Sequence, residues 1–101
     1  MSRRYSARSD TNQAAIVEAL RRAGCTVESL HRVGGGVPDL LVGWRGLSGR
    51  PFNLLLEVKT TLAGKLTLDE AAWHGDWEGQ VDVVRDPQEA VIIAQNYRRL
   101  M

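Results

Sequence analysis

Apolar positions along the chain recur with two different periods, and the switches between them mark out seven elements. Ile16, Val17, Leu20 and Ala23 return at helical spacing, which predicts a first helix over 10–23. Asp10 stands as its N-cap with Gln13 three residues on, a capping-box spacing. Gly24 follows as the residue that ends it. Over 25–30, Cys25, Val27 and Ser29 alternate against Thr26, Glu28 and Leu30, the period of a short strand. Gly34, Gly35 and Gly36 form a flexible joint. A second strand is expected over 38–44, around Leu40, Leu41 and Val42, with a loop or hairpin connection over 43–50. The third, over 51–60, is the most hydrophobic: Phe52, Leu54, Leu55, Leu56 and Val58. A nearly continuous apolar run belongs to a central strand covered on both faces.

The second half repeats the logic. Thr67 and Glu70 have the spacing of a capping box ahead of a helix over 67–74, with Leu68, Ala71 and Ala72 as its apolar stripe and Gly75 as its end. Residues 81–85 alternate as a fourth strand. Asp86, Pro87 and Glu89 supply N-cap, N1 proline and N3 acid for a last helix over 87–99. The order is α-β-β-β-α-β-α, an α/β chain. Three strands between two helices predict a meander, and the later β-α-β crossover sets the last strand parallel to a neighbour. The expectation is a mixed β-sheet flanked by helices.

Composition narrows the class. The chain has 101 residues, 44% hydrophobic and 25% charged, the size and balance of a small domain with one core. The expected division is a flexible basic arm over 1–9, carrying Arg3, Arg4 and Arg8, and a single domain over 10–101. Separate cofactor and substrate domains are excluded. The apolar runs fall well short of the ~18 residues needed to span a bilayer, and the basic N-terminus lacks the apolar stretch of a signal peptide. Cys25 is the sole cysteine, so neither an internal disulfide nor a cysteine zinc cluster can form, and the context reads as cytoplasmic. The net charge of +1 hides a polarity: residues 1–50 hold eight basic and four acidic side chains, residues 51–101 five and eight. The arginine-rich half is compatible with phosphate binding.

The chemistry gathers at two strand ends. Pro38-Asp39 opens the second strand just after the glycines, and Glu57-Val58-Lys59 closes the third. Period-2 geometry puts Glu57 and Lys59 on one face and Val58 on the other. If these strands pair antiparallel, Asp39 and Glu57 meet at one end of the sheet. Two converging carboxylates repel, and holding both ionised calls for a cation. A hard divalent ion, Mg²⁺ or Mn²⁺, takes oxygen ligands, which Asp39, Glu57 and the Val58 carbonyl can supply. Lys59 beside it would orient a water and neutralise developing phosphate charge. That set suits phosphodiester hydrolysis. The plainer alternative is a solvated Glu-x-Lys pair on a strand face and an X-Pro-Asp turn.

These residues resemble a known family. Pro38-Asp39 followed by Glu57-Val58-Lys59 looks like the PD-(D/E)XK nuclease superfamily. GGGVPDLLVGWRG, NLLLEVKT and GKLTLDEAAWH together resemble its virus-type replication-repair nuclease (VRR-NUC) branch, which is close to archaeal-type Holliday junction resolvases. The resemblance spans about 10–91. It implies a restriction-endonuclease-like core, with Asp39 and Glu57 as metal ligands and Lys59 as the catalytic lysine. The family's first motif, an acid on the first helix, falls on Gln13 here, as a catalytic-site residue or only a helix cap, with Glu18 as the other candidate. The family's second-helix Gln and aromatic fall on Glu70 and Trp73, and the change to Glu adds negative charge near the DNA path. Candidate DNA contacts are Arg3, Arg4, Arg8, Arg32, Lys65, Trp73 and His74, the histidine being alternatively a surface residue. Trp44, Trp73 and Trp77 can stack on unpaired bases or pack in a core or interface. His31 flanks the glycine loop and Cys25 belongs in the core.

The implied activity is a Mg²⁺- or Mn²⁺-dependent DNA endonuclease leaving 5′-phosphate and 3′-hydroxyl ends. With little chain left to read base edges, it would recognise branched DNA such as a Holliday junction through phosphates. Cutting two strands needs two sites, which a homodimer supplies. Its setting would be a bacterial cell or a phage-infected host, without membrane or organic cofactor. The rivals are a nicking subunit acting with a larger partner, a catalytically idle nucleic-acid-binding module in which Gln13 marks decay of the site, and a small oligomeric scaffold.

Overall fold

The computed structural model describes residues 2–60 and 64–101, with side chains from residue 11 onward. The elements are α1 (Ser2–Ala23), β1 (Thr26–Ser29), β2 (Leu40–Arg45), β3 (Pro51–Val58), α2 (Leu68–Asp76), β4 (Val81–Val84) and α3 (Pro87–Leu100). The order α-β-β-β-α-β-α is the expected one.

The four strands form one sheet in the order β1-β2-β3-β4. The first three make an antiparallel meander, and β4 lies parallel to β3 after the α2 crossover. The core follows from strand alternation. Leu40 and Val42 on β2, and Phe52, Leu54 and Leu56 on β3, join Ile16 and Leu20 of α1 and Ala90 and Ala94 of α3 in one buried cluster. Both long helices therefore cover the same face. The small, fully buried Ala90 and Ala94 let α3 pack closely against α1. Cys25 is buried in this cluster, as expected. Val58 is half-buried and packs against it.

Several boundaries differ for local reasons. Helical backbone begins at Ser2, not Asp10. The amides after Asp10 thus bond one turn back along the helix, and the expected Asp10–Gln13 capping box has no helix start to cap. Gly75 does not end α2; the helix runs to Asp76, and the Trp77 amide closes it on the Trp73 carbonyl at 3.1 Å. The Thr67–Glu70 capping box and the Asp86 cap with Pro87 behind it form as expected. Full cover of β3 on both faces is not met: Asn53 is exposed and Leu55 half-buried, because α2 is short and has no buried residue of its own. Among the described residues no helix is long and apolar enough to cross a membrane.

Candidate active site

The β2–β3 register pairs Leu40 with Leu56. Continued by one residue, it sets Asp39 opposite Glu57, on the face away from the core cluster. Asp39 is fixed twice. Its carboxylate Oδ2 accepts the Val58 N–H at 2.7 Å, and its carbonyl accepts the Leu30 N–H at 2.7 Å. A short charge-assisted bond of this kind holds a carboxylate in one orientation. The antiparallel pairing inferred from the strand pattern therefore brings the two acids together.

Among the described residues Glu57 is the buried charged side chain, only 2% exposed. Burial, then the carboxyl of Asp39 beside it and the charge of Glu70, push its pKa up to about 9, with Lys59 offsetting part of the rise. Its Oε1 has no hydrogen-bond partner, and neither does the buried Nε2 of His74. These two atoms face each other at 3.7 Å. His74 is thus not a surface histidine: its side chain is 13% exposed and turned toward Glu57.

Lys59 is held from the same helix. Its Nζ donates to Glu70 Oε1 at 2.6 Å, both side chains being mostly buried. The same oxygen accepts the Thr67 N–H at 2.8 Å. Burial alone would raise the Glu70 carboxyl, but the Lys59 ammonium and the Thr67 amide hold it below its ordinary value. Glu70 therefore caps α2 and pairs with the lysine at once. The capping spacing is visible in the sequence; the pairing is not, because it depends on where α2 lands.

An open cleft of about 920 Å³ runs between α1 and the strand ends, lined among others by Gln13, Glu18, Arg21, Arg22, His31 and Asp39. Gln13 shares this cleft with Asp39, on the helix where the resemblance sets the first motif. Glu18 lines it too, paired with Arg22 at 2.6 Å on an exposed surface. Sequence reasoning missed both Arg21 and Arg22 as cleft residues, since neither belongs to a motif. It also missed Asn12, whose Nδ2 donates to the Arg85 carbonyl at 3.2 Å and ties α1 to the end of β4.

The remaining DNA candidates separate. Arg32 and Lys65 are exposed. The side chains of Arg3, Arg4 and Arg8 lie outside the described residues. Trp73 stacks on Trp77 at 4.7 Å and 19°, and Trp44 lies under the Arg98 guanidinium at 4.7 Å against the core.

The donor set suits a hard divalent cation. Glu57 is a buried carboxylate, and Asp39 sits beside it as a second one. Such a site is costly as it stands, and a cation at the two acids would offset that cost. Among the described residues no group of three His, Cys, Asp or Glu side chains forms a ready cage.

No family model and no curated protein matches the chain. Among solved structures, one titled "VRR_NUC domain" superposes with a TM-score of 0.70 at 22% sequence identity, covering 89% of this chain and 97% of that one. At that identity the likeness shows a shared fold: the chain has the architecture of a VRR-NUC domain.

Proposed function

We propose that this chain, built on the fold of a solved VRR-NUC domain, is a metal-dependent DNA endonuclease with Asp39, Glu57 and Lys59 at its centre. The observation that carries the reading is a buried glutamate, Glu57, beside the second carboxylate of Asp39, with Lys59 just past the end of the same strand.

A hard divalent cation such as Mg²⁺ or Mn²⁺, held by Asp39, Glu57 and the Val58 carbonyl, would polarise a phosphate oxygen and lower the pKa of a water. The chain's own residues do the rest. The Val58 amide keeps Asp39 in one orientation. Lys59 carries a fixed positive charge where negative charge grows on the phosphate. Glu70 sets the direction of that ammonium and tempers its charge. Gln13 offers an uncharged amide where the related nucleases carry an acid, and it can orient a water without adding repulsion. In the cleft, Arg21, Arg22 and His31 contact phosphates. Arg32 and Lys65 extend that surface, and Arg3, Arg4 and Arg8 add a basic segment. Contacts of this kind position a duplex without reading its sequence. The substrate is therefore branched DNA, a Holliday junction or a related fork, cut by a homodimer that brings two such centres together.

Asp39→Ala or Lys59→Ala is expected to lower Mg²⁺-dependent cleavage by about a hundredfold or more, the scale of losing one electrostatic element of a site, with an unchanged circular dichroism spectrum. Full activity in either variant would sink the assignment. Equal cutting of four-way junction, splayed arm and linear duplex would refute branch selection. Binding of DNA without any cleavage or Mn²⁺ binding would instead indicate an idle binding module.

A further inference from the structure

Two residues of α2 meet Glu57 of β3 and Lys59 just past its end, and the spacing of both pairs is set by geometry. Glu70 and His74 are one helical turn apart, a rise of about 6 Å. Glu57 and Lys59 lie two residues apart where β3 runs out, and the Lys59 N–H still bonds the Val84 carbonyl, so strand spacing of about 6.6 Å applies. The near-equality of these steps lets one face of α2 touch both strand residues at once, Glu70 on Lys59 and His74 on Glu57.

The first pair is closed at 2.6 Å, while the second is open at 3.7 Å with both facing atoms buried and unpartnered. Buried polar atoms without a partner are rare in folded proteins, and here two of them face each other. The Trp73 ring stands at 75° to the imidazole, with ring centroids 6.0 Å apart. Hydrogen bonds at catalytic sites are often long without substrate or cofactor and tighten when the site is loaded.

We propose that His74 is a positioning residue for Glu57. Its Nε2–H would engage Glu57 Oε1 when the site is loaded and so hold the carboxylate in one orientation for the cation. This rests on the metal reading of Asp39 and Glu57 given above. It assigns α2 a role beyond its cap: Glu70 orients the lysine and His74 orients the ligand. Partners that orient a ligating side chain in this way commonly set metal affinity by 10- to 100-fold.

The test is calorimetric titration of the full chain with Mn²⁺ in the absence of DNA. His74→Leu keeps an apolar side chain without a donor; it is expected to bind Mn²⁺ about 10- to 100-fold more weakly than the native chain. His74→Gln, whose amide N–H extends to a similar reach, is expected to recover affinity to within a few-fold. Thermal unfolding of both variants in the absence of metal identifies any global loss of structure. Native affinity in His74→Leu overturns the proposal. An equal loss in folded His74→Gln and His74→Leu also overturns it, by assigning the imidazole to direct coordination. Absence of Mn²⁺ binding in the native chain refutes the metal reading itself, an outcome distinct from the other two.

Discussion

Glu57 is where burial and charge conflict most sharply. A carboxyl only 2% exposed, beside a second acid, destabilises the fold unless something offsets it. Glu57→Gln removes the ionisable group and lets an amide donate to Asp39. It is expected to raise the melting temperature of the metal-free protein by roughly 5–10 °C, the equivalent of about 1–2 kcal/mol in a domain this size. The same variant should lose the Mn²⁺-induced rise in melting temperature shown by the native chain. Glu70 presents the opposite case. Glu70→Gln keeps the cap but frees Lys59 from its 2.6 Å partner. Tighter DNA binding, by several-fold at low salt and with a steeper salt dependence, is expected in fluorescence anisotropy. Cys25 supplies a pH test remote from the site. Burial pushes its thiol up to about 11, against a small lowering by Arg98, from an unfolded value of 9.0. Because the folded value is the higher one, this contribution to stability is complete below pH 9.0 and is lost as pH rises toward about 11. Cys25→Ala should flatten the alkaline fall in melting temperature over that window, and thiol reagents at pH 8 should label the native protein only on unfolding.

At the scale of elements, the site depends on how α2 is seated. Gly36 has a φ of 86°, and a Cβ there would run into the backbone carbonyl of Asp69 in the first turn of α2. The glycine loop thus packs directly beneath the helix that carries Glu70 and His74. Gly36→Ala is expected to cost about 1–3 kcal/mol from backbone strain alone. It should also speed hydrogen exchange across 68–76 more than across β2, as mass spectrometry can measure. Strand alternation made the site's nucleus legible: Leu40, Val42, Leu54 and Leu56 fix which face is core, and so put Asp39 and Glu57 together on the other. The reach of α2 was not legible. A capping box between Thr67 and Glu70 is local, whereas contact with Lys59 and Glu57 needs the crossover, the glycine loop and β4 all in place. The start of α1 was misread for a related reason. Asp10 has the chemistry of a cap, but helical backbone passes through it, and local cap preference is a weak signal when a helix continues on both sides.

At the scale of the molecule, the asymmetry of charge acquires a location. Arg21 and Arg22 line the cleft that also holds Asp39, while the acidic second half contributes Glu57 and Glu70. The Cα radius of gyration of the single chain is 13.4 Å. Two such bodies joined compactly should measure roughly 17 Å, from the size scaling of folded chains. Small-angle scattering near that larger value is expected for the proposed homodimer, and a value matching the single chain would remove the argument that one particle carries two centres.

The sequence by itself determined the seven elements, their order, the meander and the meeting of Asp39 with Glu57. All of these follow from periodicities of two and about 3.6 residues and from strand register, which are local or nearly so. Tertiary structure alone decided that Glu57 would be buried with an oxygen unpartnered and that Lys59 would be paired to the helix-capping Glu70. It also turned His74 inward and ran a cleft along α1 past Gln13. Each of these depends on how far one packed element reaches over another, and no spacing along the chain encodes that distance.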